Sequence, residues 1–123
     1  MKLHELKQKG AMVDMAMVKK DVEWTHKDDA TGEMITENFS VFVIRTPFGI
    51  IENIMQNKDA DFSKSAALIA HCVRFGDEGE ESMEYAEAFQ LQTGLATALL
   101  EKVNEVNRGE TKNSKPTPSD GTN

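Results

Sequence analysis

Between residues 39 and 47 the chain reads Phe39-Ser40-Val41-Phe42-Val43-Ile44 and then meets Pro47, and no other stretch restricts the backbone as strongly. β-Branched and aromatic side chains throughout the run favour extended backbone, and the proline ends it because it has no N–H to give to a ladder. Such a strand is apolar on both faces, so both must meet other protein. The rest of the chain has to supply a neighbouring strand and a covering layer.

The neighbour lies just upstream. From Val18, Val22 and Trp24 fall on one face of an extended segment, while Lys20, Glu23 and Thr25 can stay near water. Lys27-Asp28-Asp29-Ala30-Thr31-Gly32-Glu33 has no apolar anchor and contains a glycine able to take positive φ, which fits the loop of a hairpin. The first seventeen residues scatter Met1, Met12, Met15 and Met17 among lysines, and Gly10 breaks a helical reading. They are expected to be irregular or partly ordered.

After Pro47 the period becomes helical. Ile50, Ile51, Ile54 and Met55 share a face before the polar break from Asn57 to Asp61. Asp61 can cap a second helix carrying Phe62, Ala66, Ile69 and Val73, with Gly76 as its left-handed exit. Ser82 can cap a third helix through Phe89, with Glu84 in its first turn. Thr93 can cap a fourth, in which Leu95, Leu99, Val103 and Val106 form a stripe flanked by Leu100 and Lys102, and Gly109 stands at its end. Residues 110–123 contain no large apolar side chain and cannot offset their ordering entropy by burial. The expectation is an α+β fold: an N-terminal β-hairpin packed on a small bundle of about four helices. It comprises a partly ordered segment 1–17, one domain over 18–108 and a disordered tail over 109–123.

Function classes can be narrowed by charge and chemistry. Twenty-one acidic against fourteen basic side chains give a formal charge of −7, which repels nucleic acid and anionic membranes. Asp77, Glu78, Glu80, Glu81, Glu84 and Glu87 concentrate acid in one stretch, best read as solvated surface. No apolar window approaches the length of a membrane span, the N-terminus lacks the apolar run of a signal peptide, and the lone Cys72 excludes an internal disulfide. A cytoplasmic protein is expected.

Catalytic groups are sparse. His71 and Cys72 are adjacent on a helix and point about 100° apart, which is unsuited to a nucleophile and its base. Cys72 is expected to pack in the core with His71 at its border. The three histidines and the cysteine lack zinc spacing, and the scattered glycines make no phosphate loop. Neither metal nor cofactor is expected, and the chain reads as a non-enzyme. What remains is apolar surface beyond what a hairpin and short helices need: Met12, Met15, Met17, Trp24, Phe42, Ile44, Leu95, Leu99, Leu100 and Val103 are the partner-binding candidates.

The order of these signals carries a resemblance. It begins with Gly10-Ala11-Met12-Val13 and Val18-Lys19-Lys20-Asp21-Val22-Glu23-Trp24 and continues through Phe39-Ser40-Val41-Phe42-Val43-Ile44-Arg45. It returns in Ala66-Ala67-Leu68-Ile69-Ala70-His71-Cys72-Val73 and closes with the helix from Gly94 to Asn107. This series resembles the tail assembly chaperones of long-tailed bacteriophages, although the acidic insertion Asp77 to Glu81 is longer than the short turn such sequences often have. The resemblance implies a protein that binds the tape measure protein, keeps it soluble and helps recruit tail tube subunits. It also implies action in the cytoplasm of the infected bacterial host and absence from the mature virion, with homo-oligomerisation left open. The competing classes are a structural head or tail completion protein retained in the virion, a small enzyme or metal protein using His71 and Cys72, and a host-directed regulator.

Overall fold

The computed structural model describes residues 1–108; the expected tail and the helix exit at Gly109 lie outside them. In chain order the elements are α1 (Leu3–Gln8), β1 (Met17–Lys27), β2 (Met34–Ile44), α2 (Phe48–Met55), α3 (Lys64–Cys72), β3 (Val73–Phe75), β4 (Glu81–Ser82), α4 (Tyr85–Phe89) and α5 (Thr93–Arg108). The four strands form one antiparallel sheet in the order β1-β2-β3-β4. The fold is therefore mixed, as expected, but the hairpin is extended to four strands and the helices number five among the described residues.

The hairpin dominates the sheet. Its strands pair over their whole length from Met17↔Ile44 to Lys27↔Met34. Between them Asp28 accepts from the Ala30 N–H at 3.0 Å, and Gly32 sits at φ 78, the conformation that the loop reading required. Burial alternates along β1, so Val18, Lys20, Val22 and Trp24 face the helices together with Val41 and Val43 of β2 and Val73 of β3. Lys20 thus points inward rather than toward water. It does so with its charge matched, its Nζ lying 3.1 Å from Glu105 on α5.

The helical layer covers this inner face. α5 lies across β1 and β2, α3 packs on α5 and α4, and α2 rests on α3. Val22, Val41, Val43, Leu68, Ile69, Cys72, Val73, Leu99 and Val103 form the buried cluster, with small Ala66 and Ala88 allowing α3 and α4 to approach.

Several expected boundaries shift. The N-terminal segment contains α1, a turn and a half of helix that the expectation of irregular chain omitted; Glu5 closes it with a capping box, accepting from the Lys2 N–H at 2.7 Å. Ser63, not Asp61, caps α3, its hydroxyl accepting from the Ala66 N–H at 3.0 Å. Val73 continues into β3 instead of the helix, and Gly76 belongs to the β3–β4 turn rather than to a helix end. Ser82 lies in β4, while Glu84 caps α4 with Glu87 answering it. Gln92 supplies the capping acceptor of α5, its Oε1 taking the Leu95 N–H at 2.9 Å, where Thr93 had been expected.

One polar knot closes the far end of the sandwich. Asn107 of α5 accepts from the Thr46 N–H at 2.7 Å and donates to the Val103 and Ile44 carbonyls at 3.0 and 3.3 Å. Thr46, 5% exposed, uses its hydroxyl on the Ile44 carbonyl at 3.1 Å and faces the Cys72 sulfur at 3.2 Å. Removing the amide leaves a part-buried N–H without its acceptor, which costs more than a neutral hydrogen bond. Asn107→Ala should lower unfolding stability by about 1–3 kcal/mol in urea titration, whereas the exposed Asn104→Ala should change it by less than about 0.5 kcal/mol.

Candidate partner-binding surface

Among the described residues, seven of the ten exposed large apolar side chains lie within residues 1–17. After α1 the chain runs extended toward β1, and Asp14 accepts from the Ala16 N–H at 3.0 Å, making a tight turn that holds Met15 at φ 59. A left-handed methionine is uncommon and costs about 1–2 kcal/mol. The Ala16 carbonyl then takes the Arg45 N–H at 3.0 Å, joining this segment to the end of β2.

Beside it, Pro47 turns the chain into α2, an eight-residue helix containing Phe48, Ile50, Ile51, Ile54 and Met55, none of them buried. A helix this apolar normally sinks into a core. Here Ile54 and Met55 reach the buried cluster, while Phe48 remains 75% exposed. Between the N-terminal segment, the start of α2 and the end of α5 runs an open groove of about 430 Å³, lined by Ala11, Met12, Val13, Thr46, Pro47, Phe48, Ile51 and Asn107. Met12, at 61% exposure, and Phe48 flank it with flexible and aromatic surface.

The ten residues singled out from the sequence divide three ways. Met12, Met15 and Met17 are exposed, and Met12 lines the groove. Trp24, Phe42, Leu95 and Leu100 are half-buried. Trp24 binds the layers together: its indole N–H donates to Gln92 Oε1 at 2.9 Å and its ring stacks on His26 with centroids 4.0 Å apart. Phe42 lies on the outer face of the sheet against Gly79, whose φ of 75 and lack of a side chain let the β3–β4 turn close over Phe42 and Met17. Ile44, Leu99 and Val103 are 8%, 0% and 2% exposed and belong to the interior. A stripe on an amphipathic helix points to whatever it packs on, and for α5 that is the chain's own sheet. Phe48, Leu3 and Leu6 were missed, although Pro47 before Phe48 and the three-residue spacing of the leucines were visible.

Burial pushes the Cys72 thiol up, against the weaker lowering effects of the Thr46 hydroxyl and the nearby Arg74, so the thiolate is disfavoured. Among the described residues His71 Nε2 is buried without a hydrogen-bond partner, and burial, aided by Arg74, holds its pKa below the ordinary 6.5. Among the described residues no three His, Cys, Asp or Glu side chains are placed to share a metal ion, and no helix is long and apolar enough to cross a membrane.

The neutral imidazole has a consequence for acid stability. Its folded pKa lies below the unfolded value, so the unfolded chain takes up the proton first as pH falls. The contribution of His71 is intact above 6.5 and is lost progressively below it, toward the folded value. Melting temperatures measured across that window should fall less steeply for His71→Leu than for the native chain.

No curated protein and no solved structure gives a significant match to the chain. A family model described as phage tail assembly chaperone, TAC, matches residues 4–107, the whole stretch from α1 to the asparagine that ties α5 to β2. The chain belongs to the phage tail assembly chaperone family.

Proposed function

We propose that this protein binds the tape measure protein during tail assembly, shields its apolar helix faces from aggregation and helps bring tail tube subunits to it. The observation that carries this reading is the groove bordered by Met12 and Phe48, where a helix too apolar for solvent stands half uncovered beside a methionine-bearing segment. An amphipathic client helix laid there would bury its own apolar face, and methionines adapt to varied side chains. The formal charge of −7 would keep such a complex soluble.

In this reading Met12, Met15 and Met17 meet the client directly. Trp24, Phe42, Leu95 and Leu100 present partly exposed edges, and Ile44, Leu99 and Val103 fix the surface from beneath. Binding is reversible, the work is done in the cytoplasm of the infected host, and the protein leaves before the virion is complete. Membership of an assembly family supports a role without catalysis.

Co-expression with the tape measure protein of the same phage tests the proposal. Soluble client and a complex that survives purification are expected. The double variant Met12→Glu, Phe48→Glu should weaken that complex by about tenfold or more with its melting temperature unchanged, because both side chains stand largely in solvent. Client solubility that is the same with and without the protein would overturn the reading.

A further inference from the structure

α1 is a short helix whose two leucines stand partly in solvent. Leu3 and Leu6 lie three residues apart on one face, 59% and 41% exposed, and no residue of the helix is buried. With its two cap residues it forms a basic segment on an acidic chain: Lys2, Lys7 and Lys9 against Glu5 make residues 1–10 net +2, leaving −9 for the remainder of a chain whose total is −7. A basic apolar element on an acidic protein has its complement within the same molecule.

The complementary surface lies near the start of α5. There α3, α4 and α5 enclose a shallow groove of about 190 Å³ that includes Ala66, Ile69, Ala88, Leu91 and Ala96, with Phe89 at 58% exposure. Small side chains on its floor leave room for larger ones from outside. α4 forms one wall; Glu87 within it and Glu84 at its cap are exposed, Glu80 and Glu81 precede them, and Lys64 on α3 is the nearby base in sequence. No residue of α1 lines this groove.

We propose that α1 of one copy seats Leu3 and Leu6 in the α3–α4–α5 groove of a second copy, with Lys2, Lys7 and Lys9 facing the acids of α4. The two surfaces are different, so the contact is head-to-tail and each added copy leaves a free helix at one end and a free groove at the other. Association of this kind builds a row of copies. It uses neither Met12 nor Phe48 and stands apart from the client-binding reading.

Sedimentation velocity of the full chain, from micromolar to millimolar concentration and at low and high salt, is the test. Association that rises with concentration and weakens with salt is expected. Leu3→Glu combined with Leu6→Glu should raise the dissociation constant by about tenfold or more without moving the melting temperature. Phe89→Lys should do the same from the other side. Mixing these two variants should restore a one-to-one complex, since one retains the groove and the other the helix; general damage to the fold would not allow that. A chain that stays monomeric throughout, association that survives the double leucine variant, or a mixture that yields no complex would each overturn the proposal. So would a monomer whose leucine variants lose only binding to the tape measure protein, which would assign α1 to the client.

Discussion

Everything described above is held in place by the contact between one face of a long hairpin and one stripe of a sixteen-residue helix, where Leu99 and Val103 share a buried cluster with Val22, Val41 and Val43. An isolated hairpin of this length is marginal in water, and an isolated helix of this length scarcely better, so each depends on the other for its apolar cover. Both ends of the contact are pinned by amides. Gln92 joins the start of α5 to Trp24, and Asn107 joins its end to Thr46 and Ile44. Between them Lys20 and Lys102 converge on Glu105; burial would raise that carboxyl, but the two ammonium groups outweigh it and hold its pKa low.

That architecture explains which parts of the fold were legible in the amino-acid order. The hairpin was readable because its strands alternate against one buried face and its loop contains Gly32 where positive φ is needed. The stripe of α5 was readable for the same reason, periodicity against a single surface. The two-residue β4 and three-residue β3 are too short to show a period, and Val73 continued the helical spacing of α3 until the sheet claimed it through pairing with Val43. Caps misread by one or two residues share a cause: Asp61, Ser82 and Thr93 are good capping types, but Ser63, Glu84 and Gln92 occupy the positions from which an acceptor can reach the first free N–H groups.

The interaction surface was legible only in part. Apolar type is visible in a sequence; whether its partner is the same chain or another one is not. Leu99 and Val103 met the chain's own hairpin and became interior, while among the described residues Met12 and Phe48 stay 61% and 75% exposed. The distinction is made by tertiary geometry: α2 turns Ile54 and Met55 to the core beside α3, and Phe48 at its first position stays largely in solvent.

The single tryptophan has a use of its own. Its indole is stacked on the imidazole of His26 and hydrogen-bonded to Gln92, at the seam where the two layers meet. The stacked ring and the Gln92 contact fix the surroundings of the indole. The molecule therefore contains an intrinsic optical gauge of its own seam, one that reports separation of hairpin and helix without any attached dye.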